Sequence, residues 1–221
     1  MAATDQTPLR VGGVNPAMAR MGLVLLNGRG GTAEDILGLG DALGLPDIAT
    51  IAPEAPGNSW WPSSFLAPLG QMRPFLQAGM AAVDGAIAAL VEGGLPRDRI
   101  VLAGFSQGGC LALEYAARHG GIRAVAGLSA GLVGTRDMMG GPLPSLYGYP
   151  AKAFDYQTDL TGMTVEITVH ERDPHIPLVR AHDSVDVFDR LGAQARLQVD
   201  PGAGHGITEA GFSALRTLVS D

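Results

Sequence analysis

The chain has 221 residues, 46 % of them apolar, so it can bury a sizeable core without a disulfide or structural metal. Its net charge is −7 and no basic cluster occurs, which argues against nucleic acid as a partner. The one cysteine, Cys110, cannot close an internal disulfide. Residues 1–6 lack the regions of a secretory leader and no apolar run reads as a membrane span, so a cytoplasmic protein without integral membrane association is expected.

Residues 7–20 are weakly patterned and leave room for an edge strand. Residues 21–26 form a continuous apolar run, as expected of a buried parallel strand. They lead into Asn27-Gly28-Arg29-Gly30-Gly31. Thr32 is placed to N-cap a helix with Glu34 and Asp35 in its first turn, and Gly44 and Pro46 stop it. Residues 47–52 read as a second strand. Residues 53–68 are broken by Pro53, Pro56, Pro62 and Pro68, yet carry Trp60, Trp61, Phe65 and Leu66. Loops normally lie in water, so these side chains either plug the core or wall a pocket; the two readings are compatible.

A long helix is expected over 69–92, from apolar residues recurring at helical spacing through Met72, Phe75, Leu76, Met80, Val83, Ile87 and Leu90. Residues 100–104 form a strand that ends in Gly104-Phe105-Ser106-Gln107-Gly108, and a helix follows at once. Residues 123–130 give the next strand. Residues 131–162 lack regular patterning, and an insertion of this size reads as a lid, a binding loop or a mobile segment. A β-branched strand over 164–170, a loop over 171–177, a helix over 178–191, a strand over 195–199, a glycine-rich loop and a helix from near Thr208 complete the chain. Strands alternate with helices throughout. The expected fold is therefore one α/β domain spanning 1–221, a mainly parallel sheet of six to seven strands with helices on both faces.

In such sheets functional groups gather at the carboxyl ends of strands. Three candidates fall there, in the order Ser106, Asp173, His205. Gly-x-Ser-x-Gly between a strand and a helix is the context of a serine held on a strained turn. His205 would take its proton, and Asp173 would fix the imidazole tautomer and stabilise the imidazolium. A developing oxyanion needs two N–H donors. These are expected from the backbone of Gln107 and from the loop after the first strong strand, with Arg29 first and Gly30 second. Neither Gly-Lys-Ser/Thr nor Gly-x-Gly-x-x-Gly occurs, which argues against nucleotide. His170, Asp173 and His175 lie close in sequence, but no second ligand cluster accompanies them, so no metal and no cofactor is expected. Trp60, Trp61, Phe65, Met138, Met139 and Ile176 are the candidates for an apolar pocket.

The chain resembles the phospholipase/carboxylesterase family of α/β-hydrolases, which includes the acyl-protein thioesterases. The resemblance runs from about Leu23 to the C-terminus. It rests on Gly28-Arg29-Gly30-Gly31, Ala52-Pro53-Glu54-Ala55-Pro56, Ser59-Trp60-Trp61-Pro62, Gly104-Phe105-Ser106-Gln107-Gly108-Gly109, Asp173-Pro174-His175-Ile176-Pro177 and Pro201-Gly202-Ala203-Gly204-His205. It implies a cofactor-free serine hydrolase, in a family whose members are often dimers, so a homodimer is an expectation. The expected reaction is cleavage of small to medium acyl esters through an acyl-enzyme. A thioesterase or lysophospholipase is the alternative within catalysis, and a ligand-binding protein without turnover the alternative outside it. Two residues depart from the family pattern. Asn27 stands where a histidine usually precedes the oxyanion-loop glycine, and Ala203 replaces the usual methionine, widening whatever that side chain touches.

Overall fold

The structure is a computed structural model that describes residues 7–220; the reading of residues 1–6 lies outside it. The elements in chain order are β1 (Leu9–Gly13), β2 (Met21–Leu26), α1 (Ala33–Ala42), β3 (Ile48–Pro53), α2 (Leu69–Glu92), β4 (Ile100–Phe105) and α3 (Gln107–His119). They continue as β5 (Ala124–Leu128), β6 (Arg136–Asp137), β7 (Lys152–Ala153), β8 (Thr164–Arg172), α4 (Leu178–Arg190), β9 (Gln194–Ala203) and α5 (Glu209–Ser220). Seven strands form one sheet in the order β1-β3-β2-β4-β5-β8-β9. Only β1 runs antiparallel, Leu9 opposite Pro53 through Gly13 opposite Ala49. It is the edge strand for which 7–20 left room.

Each central strand feeds two cores, because successive side chains point to opposite faces. Val24 and Leu26 of β2 pack with Leu102 of β4 and with α2, α3 and α4. Leu23 and Leu25 pack with Val101 and Ala103 and with α1 and α5. A strand buried on both faces needs apolar residues at every position, which is why these strands read as unbroken runs. Helix α1 begins as expected. Thr32 Oγ1 accepts from Asp35 N–H at 3.0 Å while the Asp35 carboxylate accepts from Thr32 N–H at 2.9 Å, a reciprocal cap. Helix α2 is long and apolar enough by length and composition to cross a membrane, contrary to the sequence reading. Its apolar side, through Met72, Leu76, Val83, Ile87 and Leu90, is buried against the sheet.

The chain leaves β2 for β3 on one side, then returns through α2 to β4 on the other side of β2. The carboxyl ends of β2 and β4 therefore flank the point where strand order reverses, where doubly wound sheets open a crevice.

Residues 131–162, expected as a lid, a binding loop or a mobile segment, carry short regular elements and polar ties of their own. Two short strands pair, Arg136 opposite Ala153 and Asp137 opposite Lys152. Lys152, buried, places Nζ 2.8 Å from Asp137 Oδ1, and the same carboxylate accepts from Leu69 N–H at 3.0 Å, capping the start of α2. Glu114 of α3 holds the insertion's first and later residues together. Its Oε2 accepts from Val133 N–H at 3.0 Å, Gly134 N–H at 3.2 Å and Tyr156 OH at 2.7 Å.

Candidate active site

The elbow after β4 has a backbone that most residues avoid: Ser106 sits at φ 53°, ψ −117°. Its flanking glycines are required by close approach. A Cβ on Gly104 would lie 2.4 Å from Gly108 C, and one on Gly108 would lie 2.3 Å from Leu26 O. Helix α3 can thus start directly against the ends of β2 and β4, with Ser106 raised above the sheet.

His205 follows β9, and Asp173 follows β8. Ser106 Oγ and His205 Nε2 are 2.8 Å apart, and His205 Nδ1 is 2.8 Å from Asp173 Oδ2. The carboxylate accepts only, so Nδ1 carries the proton and Nε2 offers its lone pair to the serine hydroxyl. Asp173 is buried; its Oδ1 also accepts from His175 N–H at 2.8 Å and Ile176 N–H at 3.0 Å. Burial alone would raise this carboxyl. The donors from His205, His175 and Ile176 outweigh burial and hold it below the usual carboxylate range. The His205 ring lies between Phe105 (centroids 5.3 Å) and an edge-on His175 (4.7 Å).

Arg29 and Gln107 line the same cleft as Ser106. Among the described residues, neither backbone N–H donates to a protein acceptor. Gly30 N–H, the second choice, is occupied by Asn58 O at 2.7 Å. Asn27 is buried behind the loop. Its Nδ2 donates to Gly28 O at 2.9 Å and Gly31 O at 2.7 Å. The Gln107 side chain clasps the aromatic loop, donating to Trp61 O at 2.7 Å and accepting from Trp60 N–H at 2.8 Å. Arg29 reaches the same loop through Pro62 O and Ser63 O. No pattern in the sequence announced these ties.

The cleft has a volume of about 610 Å³, and Trp61, Phe65 and Ile176 line it. Trp60, Met138 and Met139 do not, which corrects the sequence reading. The Trp60 indole N–H donates to Asn27 O at 3.0 Å, and its ring helps line a separate apolar cavity of about 290 Å³ beside α2. Met138 and Met139 stand in solvent, 52 % and 103 % exposed, just beyond β6. Tyr147 and Tyr149, from the same insertion, line the cleft instead. Ala203 ends β9 exposed and away from the cleft, so the expected widening does not reach it. Cys110 lies under the elbow, where burial pushes its thiol up to about 12; it is packing and no thiolate.

Residues 54–220 match the model of the phospholipase/carboxylesterase family. The chain belongs to that family. Its α/β-hydrolase fold matches the phospholipase/carboxylesterase from Dyadobacter fermentans over 97 % of each chain, at 32 % identity and TM-score 0.82. A carboxylesterase from Mesorhizobium loti, at 21 % identity, covers 99 % of this chain and 97 % of its own, TM-score 0.71. The Bacillus cereus carboxylesterase, at 13 % identity, covers 98 % and 95 %, TM-score 0.74. These two show the fold alone. No curated protein sequence matches the chain. Family membership makes the chain a hydrolase of the esterase/phospholipase type.

Proposed function

We propose that the protein is a serine carboxylesterase that cleaves small to medium acyl esters. The observation that carries this reading is the hydrogen-bonded series Ser106–His205–Asp173 opening into a cleft with two uncommitted backbone N–H groups. Ser106 Oγ attacks the ester carbonyl carbon as His205 Nε2 takes its proton. The carbonyl oxygen becomes an oxyanion held by the N–H groups of Arg29 and Gln107. The carbon–oxygen bond to the alcohol breaks, and His205 returns the proton to the departing oxygen. Water then attacks the acyl-serine with His205 again as base, releasing the acid and the free serine. Asp173 stays ionised and stabilises the imidazolium at each stage.

The apolar walls Trp61, Phe65, Leu66 and Ile176 suit an acyl chain of about two to eight carbons, each buried methylene contributing up to about 0.8 kcal/mol until the space fills. The test has two arms. A fluorophosphonate probe should label the protein once, and Ser106→Ala should abolish labelling and lower kcat by several orders of magnitude. On a panel of esters and thioesters graded by acyl length, kcat/KM should peak at short to medium chains. A steady gain out to palmitoyl esters would favour the lysophospholipase or thioesterase reading. An unlabelled protein without turnover would favour ligand binding.

A further inference from the structure

Backbone strain in this molecule is concentrated at the site. Among the described residues, four non-glycine residues hold φ in the left-handed region: Asn58 (60°), Ser106 (53°), Ser129 (49°) and Tyr147 (54°). For side chains other than Asn or Asp this conformation is costly and persists only where the surroundings enforce it. Ser106 is the elbow serine itself. Each of the other three grips a different loop of the constellation. Asn58 O accepts from Gly30 N–H in the loop that carries Arg29. Ser129, fully buried at the end of β5, donates its hydroxyl to Gly206 O at 2.8 Å, one residue past His205. Tyr147 donates its hydroxyl to the backbone carbonyl of Asp173.

We propose that Ser129 and Tyr147 are positioning residues, two hydroxyls that hold the backbone beside the base and the acid and so set the Ser106–His205–Asp173 distances; this rests on the serine-hydrolase reading. The loop of 173–177, after β8, and the loop of 204–206, after β9, leave separate strands, and Gly204 and Gly206 give the second freedom to drift. His205 bridges them through one ring. Its ring orientation follows from where the two backbones sit, and a misplacement of about 1 Å at a reacting centre can cost about a hundredfold in rate. Tyr147 reaches the acid from the insertion, in a tight loop closed by Leu143 N–H to Tyr149 O at 3.0 Å and Gly148 N–H to Leu143 O at 2.9 Å. Those bonds force its unfavourable backbone angle and aim the phenol at Asp173. Ser129 is the neighbour of Leu128, whose carbonyl accepts from Ser106 N–H at 2.8 Å. One strand end therefore fixes both the nucleophile and the loop of its base.

The test uses Tyr147→Phe, Ser129→Ala and Ser129→Gly, each with kcat and KM on p-nitrophenyl butyrate, the rate of fluorophosphonate labelling, and Tm. Each variant should lose about tenfold in kcat with KM within about twofold, and labelling should slow in parallel. Ser129→Gly relieves the strained φ and should melt no lower than Ser129→Ala, yet stay equally slow. A purely structural role predicts the reverse, with activity following Tm, so recovery of kcat in Ser129→Gly overturns the proposal. Full activity in all three variants overturns it too, while leaving the hydrolase reading intact. A wild-type protein that neither turns over ester nor takes the label overturns both.

Discussion

Asn27 gives both hydrogens of its side-chain amide to one loop, to Gly28 O and Gly31 O, while Oδ1 is buried without a protein partner. The loop thus depends on the residue as a donor. A neutral imidazole can donate one of these bonds, so Asn27→His should retain activity within about tenfold. Asn27→Leu donates none and should approach the hundredfold loss of a displaced oxyanion donor. Asn27→Asp separates size from chemistry: nearly isosteric, it turns acceptor oxygens toward two carbonyls and should be at least as damaging as leucine. Measured as kcat on one good ester with Tm as the folding control, an active Asn27→Asp would show that the loop does not rest on this donor. Ser106, Asp173 and His205 were readable from the sequence because each closes a strand in a fixed order. Ser129 and Tyr147 were not. Their hydroxyls reach carbonyls 77 and 26 residues away, and no local pattern records such a contact.

At the scale of elements, periodicity located the helices and the buried strands, because each must bury a face. It failed in the insertion, where β6 and β7 have two residues each, too few for any period. The apolar type of Met138 and Met139 misled for the same reason. No packed face fixes them, and single apolar residues are common in solvent. What orders this segment is polar and lies on α3. The buried Glu114 carboxylate serves Val133, Gly134, Tyr156 and Arg118, with Arg118 Nε at 2.8 Å. Removing it leaves buried donors without an acceptor and Arg118 without its carboxylate. Glu114→Leu should cost about 3 kcal/mol or more, seen as a fall in Tm of roughly 6–12 °C. Arg118→Ala removes a partner that is itself a third exposed and should cost clearly less. If the two substitutions cost the same, the insertion is not organised by the carboxylate.

Across the whole molecule, alternation of strands and helices implied a parallel sheet, but strand order was not in the sequence, since nothing local says that the chain doubles back past β2 to build β4. That reversal brings the loop of Arg29 beside the elbow, and β8 and β9, further along the same sheet, carry Asp173 and His205 to it. The arrangement separates two responses to acid. Asp173 and Asp137 are both held below the usual carboxylate range against burial, Asp173 chiefly by His205 and Asp137 chiefly by Lys152. A carboxyl depressed in the folded state binds fewer protons there than in the unfolded chain. Its contribution is therefore fully present above the unfolded value, about 3.9, and is lost as pH falls through the folded value. Glu166 and Asp183 are raised by burial, so they act with the opposite sign and make the fold no less stable on mild acidification. Activity obeys a different group. A histidine base works only when neutral, so acid that protonates the imidazole stops it. Lowering the pH from about 8 to about 5 should therefore abolish ester turnover while Tm holds, with full recovery on return to pH 8. Tm should fall only below about pH 4, and Asp173→Asn should flatten that fall. Paired measurements of initial rate and Tm over the same pH series decide it: loss of both in one window would mean that acid inactivates by unfolding and that no neutral imidazole governs the rate.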